Sequence, residues 1–317
     1  MIFVEICCGL GNQLFTYAFF RWLQSQTGQP GLAYMRPSPL YHSVYQLDRF
    51  NITPKLAVTF KKEEFIDKAP KSLQYYLDKS RIPKGKRAGR HDDLGVYMNG
   101  WNKFEKPPNP LKQHYYINGF FQSPKFFESI KRTIVSEITL AGERKPSNKE
   151  TMALIGRRAN PVCVHVRRGD FVSRTHYNGI CTVKYYDKAV EMILDAAPDA
   201  RFFVFSDGMD WVRKSLAFPQ STVFVENNSE REAAEELEVM KACKHFIISN
   251  STFSWWAQYL GAGDGSMVIA PNKFDAHNHK SNIIMDNWRL LNSEGGLVRE
   301  GAGGPLRTKE KNVIIPV

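Results

Sequence analysis

An α/β fold with a parallel sheet in its second half is what this 317-residue sequence predicts, on three observations. Short apolar runs at 162–166, 202–206, 222–225, 245–248 and 267–270 have the length of strands and no polar face. Helical patterns at 184–197, 209–216, 229–244 and 252–260 fall between them, so strand and helix alternate four times. Such strands belong to sheets covered by helices on both faces. At the N-terminus, a strand-like run at 2–6 passes through Cys8-Gly9-Leu10-Gly11-Asn12-Gln13 into a helical pattern with Leu14, Tyr17, Ala18 and Trp22 on one side, which opens a first α/β unit.

The stretch between is harder to read. Residues 28–110 are rich in prolines, basic clusters and aromatics, and the segment Lys84-Gly85-Lys86-Arg87-Ala88-Gly89-Arg90 reads as a mobile loop. Residues 115–121 read as a strand and 123–138 as a helix with Pro124 in its first turn. Residues 141–149 are polar, contain Gly142 and Pro146, and read as a linker. The expected division is 1–145 and 146–317, the second part ending in a glycine-rich tail from Glu294.

With 43% hydrophobic and 24% charged residues, the composition is that of a soluble globular protein. A net charge of +11 favours acidic partners: nucleotides, nucleic acid or an anionic membrane surface. The excess is concentrated, with 11 Lys/Arg against 4 Asp/Glu between residues 55 and 90. A nucleic-acid-binding reading follows from that charge, but no stacking motif or recognition module accompanies it. The five cysteines, Cys7, Cys8, Cys163, Cys181 and Cys243, are odd in number and form no C-x-x-C pair, which favours a reducing compartment over a disulfide framework. No apolar run is long enough for a transmembrane helix, and the N-terminus lacks a signal peptide's basic region.

Ligands on parallel sheets lie beyond the carboxyl ends of the strands. There the sequence places His165-Val166-Arg167-Arg168-Gly169-Asp170. Two adjacent guanidiniums at a strand end are costly without an anion, and the arginine fork fits phosphate oxygens. One arginine is therefore expected to meet the ligand while its neighbour pairs with Asp170. Asp207, after the next strand, reads either as an acceptor for ribose or base donors or as the N-cap of the helix from Met209. After residue 248 come Ser249-Asn250-Ser251-Thr252-Phe253-Ser254-Trp255-Trp256. Free N–H groups and hydroxyls at such a helix start make an anion site, beyond the single cap Ser251 would supply; Trp255 and Trp256 read as core. At the N-terminus, Gly9-Leu10-Gly11 lacks the third glycine of a dinucleotide fingerprint, which leaves the amides of Asn12 and Gln13 as its useful groups. There is no P-loop sequence and no Asp-x-Asp, and His277 with His279 reads as a surface pair. No metal ligand is expected; arginine and a helix start would neutralise a departing diphosphate.

Taken in this order, Gly9-Leu10-Gly11-Asn12-Gln13, His165 to Asp170, Phe205-Ser206-Asp207 and Ser251 to Trp256 resemble glycosyltransferase family 11, which contains the α-1,2-fucosyltransferases, and the likeness runs from Met1 to about Leu291. The resemblance implies a GT-B arrangement, two Rossmann-like domains facing one another across a cleft, with the C-terminal one holding GDP-fucose. It implies that Arg167 contacts the β-phosphate with Arg168 beside it and that His165 lies against the guanosine. Ser251, Thr252 and the Phe253 N–H would cradle the diphosphate, Asp207 would sit near base or ribose, and Gly11 and Asn12 would face the donor from the first domain. Two departures stand out. The family commonly has two glycines where this chain has Cys7-Cys8, and a second acidic residue where it has Gly208, so which carboxylate contacts guanine stays open.

The implied activity is inverting transfer of L-fucose from GDP-β-L-fucose to a terminal β-galactose of a glycan, a lipopolysaccharide O-antigen or H-antigen-like oligosaccharide, without a metal cofactor. The implied setting is the bacterial cytoplasm. The basic stretch reads either as a solvated loop or as a weak contact with the inner face of the inner membrane. Another linkage, α-1,6 or to protein, is the alternative within the class. For the proton acceptor, His176, Asp170 and Glu5 lie near the motifs, and His176 ranks first because an imidazole titrates near neutrality.

Overall fold

The computed structural model describes residues 1–37, 44–52, 56–77, 89–91, 95–99, 104, 112–226, 232–277 and 281–301. In chain order the elements of the first half are β1 (Ile2–Ile6), α1 (Leu10–Thr27), β2 (Gly31–Met35), β3 (Leu56–Thr59), α2 (Lys62–Asp67), α3 (Lys71–Leu77), β4 (Gly89–His91), β5 (Val96–Asn99) and β6 (Tyr115–Gly119). They form a six-stranded sheet of order β3-β2-β1-β6-β5-β4, parallel except for the β4–β5 pair. β1 lies inside this sheet and all five of its residues are buried, as expected of a strand covered on both faces.

The second half adds α4 (Lys131–Glu137), α5 (Pro146–Gly156), β7 (Pro161–Val166), α6 (Val183–Ala196), β8 (Arg201–Ser206), α7 (Met209–Ser215), β9 (Val223–Val225), α8 (Ala233–Lys241), β10 (His245–Ile247), α9 (Thr252–Gly261), β11 (Val268–Pro271), β12 (Arg289–Leu291) and β13 (Leu297–Arg299). Their seven-stranded sheet runs β13-β12-β11-β10-β7-β8-β9, parallel except for the last pair, β12–β13. The fold is thus α/β with two parallel, Rossmann-like portions.

Several local expectations change. Gly89 and Arg90, assigned to a mobile loop, belong to β4, while 84–88 lie outside the described residues. The helix expected over 123–138 starts only at Lys131, after two 3-10 turns at Pro124–Phe126 and Glu128–Ile130. Phe126 and Phe127 are both fully enclosed, and neighbouring residues on a regular helix point about 100° apart. The backbone opens at Phe127, to φ −137°, which seats both rings. The polar stretch read as a linker contains the start of α5, with Pro146 in its first turn and Asn148 and Ile155 buried. The glycine-rich tail supplies β13 before its remaining residues, 302–317, pass outside the described set.

The two sheets meet through helices. Phe15 of α1 packs its ring 4.6 Å from Trp255 and 5.0 Å from Trp256 of α9, and Phe127 stacks on Trp256 at 5.6 Å. Trp256 Nε1 donates to the Gly11 carbonyl oxygen at 3.0 Å and Trp255 Nε1 to that of Ile283 at 2.7 Å, so both indoles are buried and satisfied. This seam belongs to one apolar cluster that takes side chains from both sheets. A Cβ on Gly11 would lie 2.6 Å from the Thr252 carbonyl carbon, and only glycine permits this approach of α1 to α9.

Candidate active site at the facing strand ends

The end of β7 carries a network of charges. Strand alternation sends Cys163, His165 and Arg167 to one face and Val166 and Arg168 to the other. Arg167 donates from Nη2 to Asp170 Oδ1 at 2.7 Å and pairs through Nη1 with Asp207 Oδ2 at 2.9 Å. Asp170 is shared with Arg174 at 3.4 Å. Arg168 instead lies over the Trp211 ring, 4.0 Å from its centroid. The expectation that the ligand-facing arginine would leave Asp170 to its neighbour is therefore corrected: Asp170 holds Arg167, because the strand turns Arg168 the opposite way.

Asp207 is the clamp of this turn. Its Oδ1 accepts from the Arg168 N–H at 2.6 Å while Oδ2 meets Arg167. A Cβ at Gly169 would come within 2.4 Å of that carboxylate, so the turn needs a glycine there. Asp207 does not cap α7, whose N-cap is Gly208 with no side-chain bond, and the capping reading is overturned. Both Asp207 oxygens thus take part in the turn, while the side chain stays 29% exposed.

His165 is buried, and its Nδ1 lies 2.8 Å from Ser249 Oγ. Burial, and next the charge of Arg167, push its pKa down to about 3, so the ring is neutral near pH 7. Beyond β10 the short polar residues are shared out. Ser249 serves His165, the Asn250 amide donates to the Tyr177 and Phe274 carbonyls, and Ser251 Oγ accepts from the Phe253 N–H at 3.2 Å as the N-cap of α9. The Phe253 N–H assigned to the diphosphate is thus already capped by Ser251. The first N–H groups of a helix lack helical acceptors, and here the Phe253 nitrogen would lie 2.7 Å from a Cβ at Gly11.

From the first sheet, Gly9 starts α1 and Cys8 precedes it with φ 66°. Gln13 locks this turn, donating Nε2 to the Cys8 and Val44 carbonyls at 2.9 and 2.7 Å and accepting from the Gln46 N–H at 3.1 Å. Gln13 is a structural residue, whereas Asn12 is partly exposed, with its Oδ1 accepting from Gln122 Nε2 at 2.6 Å. Gly11 serves close packing against Thr252.

Of the three proton-acceptor candidates, Glu5 is buried, accepts from Tyr116 Oη at 2.6 Å and pairs with Arg36 at 3.5 Å. Asp170 is committed to two arginines. His176 is exposed, its ring 4.9 Å from that of His277. It lies two residues after Arg174, which pairs with Asp170 at 3.4 Å.

Two residues escaped the sequence reading. Gln122, after β6, holds Asn12 and keeps a buried Oε1 with no hydrogen-bond partner; it follows Phe121, a non-glycine residue at φ 48°. Glu236 on α8 is partly buried beside Arg167 and Asp207. Burial, and next the Asp207 charge, raise its pKa to about 7 against the opposing pull of Arg167. Its only sequence signal is an acidic residue at helical spacing from Val239, Met240 and Cys243, a signal blurred by Glu235 and Glu238, which are also buried but spent on Arg49, Lys145, Asn148, Arg144 and Leu140.

Among the described residues no group of three or more His, Cys, Asp or Glu side chains is disposed to hold a metal ion, and no helix is long and apolar enough to cross a membrane.

The model of the family described as Glycosyl transferase family 11 matches residues 99–292, a span that contains the β7, β8 and β10 strand ends and Glu236. The chain is 29% identical over 308 residues to the O-antigen biosynthesis glycosyltransferase WbnK of Escherichia coli, covering 88% of this chain and 97% of that one. It is 29% identical over 281 residues to an alpha-1,2-colitosyltransferase of Escherichia coli, covering 86% of this chain and 91% of that one. It is 25% identical over 268 residues to the galactoside alpha-(1,2)-fucosyltransferase 2 of Oryctolagus cuniculus, covering 80% of this chain and 65% of that one. With that family's pattern spanning more than half of its length, and the charged strand ends inside the span, the chain belongs to glycosyl transferase family 11 and is a glycosyltransferase.

Proposed function

We propose that this glycosyltransferase moves L-fucose from GDP-β-L-fucose to O2 of a terminal β-galactose, with inversion and without a metal. The observation that carries the reading is Arg167, fixed between Asp170 and Asp207 just past the end of β7 and two residues after His165, whose ring lies 5.7 Å from that of Phe253 in α9. A guanidinium held at two points cannot swing away, so it is preorganised for the charge that develops on the leaving β-phosphate. Such a donor is worth about 2.7–4 kcal/mol in the transition state. Thr252 and the first N–H groups of α9 would share that charge.

Guanine presents two donors, N1–H and the 2-amino group, and a carboxylate with free oxygens matches them. Each Asp207 oxygen already holds one partner, whereas no hydrogen bond of Glu236 is found among the described residues, which supports Glu236 as the base-reading carboxylate. Asn12, steadied by Gln122, would meet the donor from the first sheet. As the C1–O bond to the diphosphate breaks, the galactose O2 forms the new bond on the opposite face and its proton passes to His176. The acceptor is a glycan of the O-antigen kind, reached in the bacterial cytoplasm at the inner membrane.

The similarity to an alpha-1,2-colitosyltransferase supports a second donor reading, since colitose is fucose without its 3-hydroxyl. Incubation with GDP-fucose or GDP-colitose and a panel of β-galactosides, in EDTA, with NMR of the product linkage, separates the two. Fucose in α-1,2 linkage at undiminished rate is expected. Exclusive use of GDP-colitose replaces the donor, a strict Mg²⁺ requirement removes the metal-free mechanism, and absence of GDP binding by calorimetry removes the reading altogether.

A further inference from the structure

The end of β1 carries chemistry that sugar transfer does not use. Cys7 and Cys8 are adjacent, 8% and 4% exposed, with their sulfurs 3.5 Å apart and the Cys8 thiol donating to Cys7. Arg36, just beyond β2 and half exposed, donates from Nη2 to Cys7 Sγ at 3.2 Å. We propose that Cys7 and Cys8 form a peroxide-reactive dithiol that closes to a disulfide between neighbours and, in closing, breaks the turn that presents Asn12.

The two sulfurs are unequal, as an attacking and a resolving thiol must be. Donation from Cys8, and next the charge of Arg36, hold the Cys7 thiol below its ordinary value against the opposing effect of burial. Cys8 is pushed the other way, first by that same hydrogen bond and then by burial. Among the described residues no arginine donates to the remaining cysteines. Cys163 and Cys243 are buried and pushed up, and Cys181, more exposed than the pair, is raised to about 12 by burial. The thiolate is the reactive form, so reactivity should follow Arg36 rather than exposure.

The steps balance with hydrogen peroxide as the oxidant. The Cys7 thiolate attacks one peroxide oxygen; the O–O bond breaks, an S–O bond forms, sulfur is oxidised and hydroxide leaves. Cys7 is then a neutral sulfenic acid, and the negative charge that kept the Cys8 proton in place is gone. Cys8 sulfur attacks Cys7 sulfur; the S–S bond forms, the S–O bond breaks, and the leaving hydroxide takes the Cys8 proton as water.

The product is strained. An S–S bond of about 2.05 Å normally spans Cα atoms at least about 4.4 Å apart, whereas neighbours across a trans peptide are about 3.8 Å apart. A strained disulfide is readily reduced, so the modification is reversible. Closing the ring must also reshape Cys8, whose φ of 66° and carbonyl, held by Gln13, set the entry into α1. Asn12 lies one turn further on.

The test treats the full chain with a few equivalents of hydrogen peroxide and reads peptide masses. The peptide spanning residues 1–21 should lose two hydrogens at least about ten times faster than Cys181 is modified, and dithiothreitol should restore it. Cys8→Ser should stop at a sulfenic acid that dimedone traps on Cys7, and Cys7→Ser should leave the peptide unmodified. Cys181 reacting first, or a sulfinic acid at Cys7 with no disulfide, overturns the proposal. In a second arm the oxidised protein should lose most of its donor turnover and regain it on reduction, while Cys8→Gly, suited to the positive φ, should keep its turnover in peroxide because no disulfide can close. Full turnover with the disulfide formed overturns the effect on the turn. The mass readout needs no substrate, so its failure is separate from any failure of fucosyl transfer.

Discussion

The ends of β1 and β7 face each other from different sheets and are built from different materials. β7 ends in charge: Arg167 between two carboxylates, Arg174 sharing one of them, Glu236 alongside. β1 ends in shape: a left-handed cysteine, a glycine start to α1 and a buried glutamine that fastens the turn from inside. In sugar transfer the first end can stabilise charge, and the second decides where groups sit. Changes at β7 should therefore act on turnover and pH dependence, and changes at β1 on stability and alignment.

The hardest blow to that division is Arg167→Ala. It should lower kcat at least about a hundredfold with the circular dichroism spectrum unchanged; a folded variant with near-normal turnover would show that the charge network is ornamental. His176→Ala comes next, with kcat/KM reduced by about a hundredfold. A value equal to that of the unaltered enzyme takes His176 out of the reaction.

Glu236→Gln should weaken GDP binding about tenfold at pH 8, equivalent to about 1.4 kcal/mol. Its sign with pH is definite. The carboxyl titrates at about 7, so below that value it is protonated and loses the charge and one of the two oxygens that would meet guanine's donors; GDP affinity should fall as pH drops through 7, and the Gln variant should be flat. The raised pKa also means that folding stability declines as pH rises between the ordinary 4.5 and about 7, a decline the Gln variant escapes. Smallest on chemistry is Gly11→Ala. The added methyl meets the Thr252 backbone and should cost about 1–3 kcal/mol of stability, seen as a lower Tm, with KM shifted more than kcat. A Tm equal to that of the unaltered chain would mean that α1 and α9 can part at no cost.

The same contrast explains what was legible beforehand. The second sheet could be read because its strands are near-continuous apolar runs separated by amphipathic helices, and its site because adjacent arginines at a strand end have few structural uses. Their division of labour was not readable: Arg167 took Asp170 and Asp207 and Arg168 took Trp211, a choice made by the three-dimensional neighbours. Glu236 was hidden among glutamates of the same helix whose partners come from residues 49 and 140–148, far away in sequence. In the first sheet β3, β4 and β5 have three or four residues each and were lost among prolines and basic residues. The 3-10 turns at Pro124 and Glu128 were missed because helical spacing alone does not forbid Phe126 and Phe127 from both being enclosed.

The aromatic seam of Phe15, Phe127, Trp255 and Trp256 has a practical consequence for anyone dissecting this enzyme. Expressed alone, either portion would expose two indoles or their phenylalanine seat to water, and Trp256 would lose the carbonyl to which it donates. Such fragments should aggregate when made singly and become soluble when co-expressed, as pieces of one cooperative folding unit.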